Sequence, residues 1–191
     1  MIATSMENQE QSYKLHPKKA LLWLSIVSMV MIFAGLTSAM VVSDKPGWFS
    51  FAFPSTLWYS TATLILSSLT MSRALSAAKK SNFSATVTYV VATLILGLAF
   101  AGLQWESWVI LVKNNVFFSG NDASASFLYV LMGLHLLHLV GGLGALLVTW
   151  MQARRKSYYA GHTLGLELTA IFWHFLDGLW IYLFLFLLYM R

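Results

Sequence analysis

WHFLDGLW, residues 173–180, lies inside a run of leucine, phenylalanine and tryptophan long enough to cross a bilayer, yet it carries His174 and Asp177 one helical turn apart. Ionisable groups inside an apolar span are costly and mark a bundle interior or a functional site. Reading this segment as a membrane helix and not as a soluble core helix decides the fold. The rest of the chain supports that reading.

Of 191 residues, 58% are hydrophobic and only 10% are charged, and the mean hydropathy is +0.69. A soluble domain carries roughly a quarter of its residues as charges. The composition therefore points to an all-α, polytopic membrane protein. The formal charge of +5 does not imply a nucleic-acid partner, because the basic residues fall between apolar runs and not in a cluster on a soluble surface. There is no cysteine, which excludes disulfides, thiolate metal sites, iron–sulfur clusters, CxxCH haem attachment and a binuclear copper site with cysteine ligands.

A bilayer core takes about 20 apolar helical residues, and the chain divides into five such spans: 20–42, 56–75, 84–112, 124–150 and 164–190. Breaks fall at DKPGW, AAKKSN, KNNVFFSGND and ARRKSYYAGH. Lys14, Lys18, Lys19, Arg73, Lys79, Lys80, Arg154, Arg155 and Lys156 lie on one side, and Lys45, Lys113 and Arg191 on the other. The excess of positive charge predicts a cytoplasmic N-terminus and a periplasmic C-terminus. Residues 1–19 read as a polar cytoplasmic tail without a signal-peptide pattern, and 20–191 as one five-helix transmembrane domain. Trp48, Trp58, Trp105, Trp108, Tyr158, Tyr159 and Tyr189 fall near span ends, where interfacial aromatics concentrate.

The ionisable residues inside spans are few: Glu106, His135, His138, Glu167, His174 and Asp177. His135 with His138, and His174 with Asp177, share a helix face at a spacing of three. The fourth and fifth helices are antiparallel neighbours, and a rise of about 1.5 Å per residue puts His138 and Asp177 both roughly 18 Å below the outer surface. These four side chains are expected to meet as an interhelical polar cluster in which imidazole and carboxylate satisfy each other. Other chemistries use the same residues: a b-type haem held by His138 and His174, a zinc site drawing on three histidines and an aspartate, or proton handling and lipid-headgroup contact. Glu106, flanked by Trp105 and Trp108, suits an interfacial or lipid contact, and Glu167 suits a helix N-terminus. Gly141 with Ala145 forms a small-xxx-small pair for close helix packing.

GLHLLHLVGGL (133–143) followed by FWHFLDGLWIYLF (172–184) resembles the last two helices of subunit III of haem–copper terminal oxidases, in the five-helix bacterial form. Gly133, His135, His138 and Gly141 fit its G-x-H-x-x-H-x-x-G pattern; Trp173, His174, Phe175, Asp177 and Trp180 fit W-H-F-x-D-x-x-W. Weaker likeness runs through 51–70 and 96–108, so the resemblance covers the chain from about residue 20 onward. It implies a non-catalytic subunit without metal or cofactor of its own, with haem and copper on the partner subunits I and II. It also implies bound phospholipid, support of proton uptake and the bacterial inner membrane, and it leaves open whether the oxidase joins a larger respiratory supercomplex. A stand-alone subunit-III-like assembly protein of the nitric oxide reductase type is the other reading within the resemblance. The family commonly carries a carboxylate in the first of these helices, where SIVSMVMIFAG (25–35) offers only Ser25 and Ser28, so proton collection there is not expected. Seven-helix members have two further N-terminal helices bounding a lipid-filled cleft, whose place lipid, another subunit or an extended subunit I would take.

Overall fold

The computed structural model describes residues 17–43, 55–114, 123–155, 158 and 163–190. Within them the chain forms five helices: α1 (Pro17–Val42), α2 (Thr56–Lys79), α3 (Phe83–Lys113), α4 (Ala123–Arg154) and α5 (Leu164–Tyr189). The tail at 1–16 and the positions Lys45, Trp48, Lys156, Tyr159 and Arg191 lie outside the described residues. Each helix coincides with an expected span, and α1 to α4 run past its apolar limits by one to four residues. Backbone hydrogen bonding continues where lipid-compatible side chains stop. α1 begins on Pro17, whose missing N–H costs nothing at a first helical position.

Four of the helices, α1, α3, α4 and α5, are long and apolar enough to cross a membrane. The fifth, α2, differs in kind. Its 24 residues include Arg73 and nine serines and threonines. Several of these hydroxyls donate to a carbonyl on the preceding turn, as Ser60 and Thr61 do to Leu57 at 2.9 and 2.8 Å and Thr63 does to Tyr59 at 2.9 Å. Such bonding hides the donors and leaves the oxygen lone pairs available to neighbours.

α2, α3, α4 and α5 form a closed ring in which each packs on the next and α2 meets α5, while α1 lies outside against α4 and α5. The α2–α3 hairpin turns within three residues. Asn82 N bonds to Ala77 O at 3.0 Å and Ser81 N to Ala78 O at 2.9 Å, with Ser81 at φ 54°. That is the hydrogen-bond pattern of a Schellman ending, carried here by serine at the left-handed position where glycine is usual. Asn82 then caps α3, its side-chain oxygen accepting from Ala85 N at 3.2 Å.

Side-chain volume at the ring's centre comes chiefly from α5, whose Trp173 and Trp180 are fully buried together with Phe100 of α3 and Leu139 and Leu146 of α4. Trp173 fits only because two neighbours lack a side chain. A methyl group on Gly97 would stand 2.7 Å from its ring, and one on Gly142 would stand 3.3 Å from the ring and 2.9 Å from Leu176. The sequence pattern points to Gly141 as the close-approach position of α4. Gly141 is instead exposed, and a methyl group added to it would meet nothing within 4 Å. The contact is one residue later, a rotation of about 100° around the helix.

Candidate functional site

α5 presents its motif to α2 as a ladder. The Trp173 indole N–H donates to Ser67 Oγ at 3.0 Å, and two helical turns further on the Trp180 N–H donates to Thr61 Oγ1 at 3.1 Å. Beside them His174 spans two hydroxyls, with Nδ1 2.7 Å from Ser68 Oγ and Nε2 3.2 Å from Ser72 Oγ. A neutral imidazole donates from one nitrogen and accepts at the other, and a hydroxyl can serve either role. Of the four hydroxyls engaged, Thr61, Ser68 and Ser72 lie at i, i+7 and i+11 on one face of α2, with Ser67 beside them. Behind the ladder, hydroxyls also tie α2 to α3: Thr70 meets Thr93 at 2.8 Å and Thr56 meets Ser107 at 2.8 Å. Thr149 of α4 meets Thr169 of α5 at 2.9 Å.

The expected cluster between α4 and α5 does not form. His138 turns Nδ1 back to Leu134 O on its own helix at 2.7 Å and sets its ring beside Phe33 of α1, with centroids 5.9 Å apart. His135 is buried between aromatics, 5.2 Å from the Trp180 ring and edge-on to Phe100 at 6.2 Å. Neither of its nitrogens has a hydrogen-bond partner among the described residues. Asp177 is buried, and among the same residues both carboxyl oxygens lack a partner of good geometry; Ser68 is close to it, but its hydroxyl is placed on His174. Equal depth is thus no guarantee of contact. His138 sets its ring beside Phe33 of α1, while the α4–α5 approach at Gly142 is filled by Trp173 and Leu176.

The geometry also bears on the metal readings. His138 faces α1 and His174 faces α2, so the two imidazoles do not open onto one gap where an iron could sit between them. Among the described residues no three His, Asp or Glu side chains are grouped to hold a metal ion.

The remaining expected positions divide. Gly133 accommodates Trp108, whose ring lies 3.9 Å from a methyl built there. Trp108 turns inward toward Tyr129, with ring centroids 6.3 Å apart, and its buried N–H has no partner among the described residues. Trp105 is 63% exposed and Glu106 is exposed, as an interfacial contact requires. Phe175 is half-buried and packs against the core. Glu167 accepts from Thr163 Oγ1 at 2.9 Å and pairs with Lys19 of α1 at 3.1 Å. Ser25 and Ser28 of α1 are exposed and donate to Leu21 and Leu24 of the preceding turn. In the connection after α4, Tyr158 donates to Gln152 Oε1 at 2.6 Å, and burial raises its phenol above the usual range.

What fold and site define together is a multi-pass helical membrane protein. Residues 52–191 match the family model described as cytochrome c oxidase subunit III, and the chain belongs to that family. Among its relatives, cytochrome c oxidase subunit 3 of Alkalihalophilus pseudofirmus is 33% identical over 124 residues, 65% of this chain and 60% of that one. Cytochrome bo(3) ubiquinol oxidase subunit 3 of Pseudomonas aeruginosa is 30% identical over 168 residues, covering 85% of this chain and 79% of the relative. Cytochrome c oxidase subunit 3 of Allomyces macrogynus is 33% identical over 102 residues, 52% and 35% of the two chains. The match spans 60% of the first relative's length and about a third of the last.

Proposed function

We propose that this chain is the non-catalytic subunit III of a proton-pumping haem–copper terminal oxidase in a bacterial inner membrane. All five helices cross the bilayer in this reading, with the N-terminus cytoplasmic and the C-terminus periplasmic. The hydroxyl-rich α2 crosses because its donors are satisfied along its own helix and by α5 and α3, as a lipid environment demands. The chain packs beside subunit I, contacts subunit II or lipid on its remaining faces, holds phospholipid and supports proton uptake without carrying electrons.

The observation that carries this reading is the use made of WHFLDGLW. Both tryptophan N–H groups and both nitrogens of His174 are engaged by hydroxyls of α2, which makes the motif a fastener between helices. A membrane b-type cytochrome would need His138 and His174 turned to a shared gap, and they face different helices. The stand-alone assembly-protein reading uses the same packing and differs only in its partner.

Purification through a tag on this chain tests the proposal. A haem–copper subunit I should accompany it, the chain alone should show no Soret band, and its deletion should leave initial oxygen reduction intact while activity decays faster on sustained turnover. Copurification with a nitric oxide reductase instead would favour the assembly reading. A bis-histidine haem spectrum from the isolated chain would end both.

A further inference from the structure

Among the described residues, four side chains keep a fully buried polar atom without a hydrogen-bond partner: Gln104, Trp108, His135 and Asp177. The first three gather where α3 and α4 face each other at the level of Trp180. Their register follows from the tryptophans. Gly97 of α3 stands against Trp173 of α5, the two helices run parallel because each is antiparallel to α4, and Gln104 and Trp180 each lie seven residues further on. Two turns of helix therefore carry Gln104 to the level of Trp180 on the same face. His135 reaches that level from α4, its ring 5.2 Å from the Trp180 ring. Phe100, one turn before Gln104, lies edge-on to the imidazole at 6.2 Å, and Trp108, one turn beyond Gln104, packs over Gly133, two residues from His135.

Outside solvent does not reach these groups, since Gln104 is 4% and His135 1% exposed. An amide oxygen and an imidazole left unpaired there bear their full desolvation cost. The nearest donor does not relieve it, because the Trp180 N–H is committed to Thr61 at 3.1 Å. What the two groups lack is complementary: a neutral imidazole has an N–H to donate, and the amide oxygen needs a donor. A cation would meet that N–H with no carboxylate from Gln104, Trp108 or His135 to balance it.

We propose that a water molecule is bound inside the helix ring between His135 and Gln104, accepting from the imidazole N–H and donating to Gln104 Oε1. Buried waters typically make about three hydrogen bonds to otherwise unpaired groups, and the Trp108 N–H is a further donor on the same side. The water joins α4 to α3 beside Trp180. His135 thus fastens helices through a solvent molecule, where His174 does so directly. The site lies wholly within this chain's own ring and is independent of which complex carries the chain.

A cryo-electron-microscopy map of the complex purified through this chain, at a resolution that shows ordered water, tests it. A density peak should lie within hydrogen-bond distance of both Gln104 Oε1 and a ring nitrogen of His135. No such peak in a map that resolves water elsewhere in the complex, or a direct amide–imidazole contact, would overturn the site. His135→Gln, which keeps a donor and an acceptor, should retain the peak, and His135→Leu should lose it; a peak that survives His135→Leu would also overturn the assignment. In thermal unfolding of the same complex, Gln104→Leu and His135→Leu should each lower the midpoint by roughly 2–10 °C. The double variant, with neither group left to hydrate, should lose less than the two shifts added together, and strictly additive shifts would sever the link. Because the peak is read within this chain, its failure is separate from that of the oxidase reading, which the haem-bearing subunit in the same map decides.

Discussion

Two seams of this bundle are built from similar residues and held in different ways. Between α2 and α5, indole and imidazole nitrogens of α5 meet serine and threonine oxygens of α2 in four hydrogen bonds. Where α1 lies on α4 and α5, the facing histidine, His138, bonds to its own backbone. Side-chain links there sit apart: Lys19 with Glu167, and Thr37 with Tyr182 at 3.0 Å. The first seam is fastened along its length and the second mainly by apolar contact. In a bilayer, where helices gain little from burying apolar surface against one another, close packing and polar links decide which pairs stay together.

The largest effect should come from removing the side chain that fills the ring and supports the fastened seam. Trp173→Ala should cost about 3–5 kcal/mol of stability, and Gly97→Ala about 1–3 kcal/mol from overpacking. Both are measurable by thermal unfolding of the detergent-solubilised protein. Trp173→Phe should recover part of the loss in Gly97→Ala, because a smaller ring clears the added methyl. If Gly97→Ala is silent, Trp173 is not wedged as described.

A double-mutant cycle on each seam measures how differently they are held. His174→Leu with Ser68→Ala should show a coupling of about 0.6 kcal/mol and at most about 1.7 kcal/mol. His138→Leu with Asp177→Leu should be additive within about 0.5 kcal/mol. Strong coupling in the second cycle would restore the cross-helix pair that the structure lacks.

At the α1 end, Lys19→Gln and Glu167→Gln should each cost at most about 1 kcal/mol, because the pair is part-exposed and screened. The loss should shrink further in high salt. The smallest effect belongs to the α2–α3 turn, where Ser81→Gly should stabilise by about 0.5–1 kcal/mol by relieving a left-handed serine. A destabilisation there would mean that the serine side chain contributes more than its backbone costs.

Much of this is legible in the sequence, and for a clear reason. Span length and apolar composition are properties of consecutive residues, so all five helices are visible there. α2 is visible too, although its hydroxyls leave it short of the apolar composition of the other four. The motif residues also stand out, since WHFLDGLW and HLLHLVGG interrupt runs of leucine. Their partners do not. Thr61, Ser68 and Ser72 share one face of the hydroxyl-rich α2, but that spacing does not say which neighbouring helix they meet. Similarly, Gly97 looks like any glycine in an apolar run until Trp173 is seen against it.

Hydrophobicity and periodicity are local, so the order of residues is enough to make this chain a set of membrane-length helices with a few costly polar groups. Which polar group meets which is a matter of packing. His174 turns to the serines of α2, His138 turns to α1, and Asp177 finds no well-placed partner among the described residues. Azimuth around each helix is set by how neighbouring side chains fill the space between them. On α4 it is Gly142 and not Gly141 that meets α5, and the space there is filled by Trp173 and Leu176.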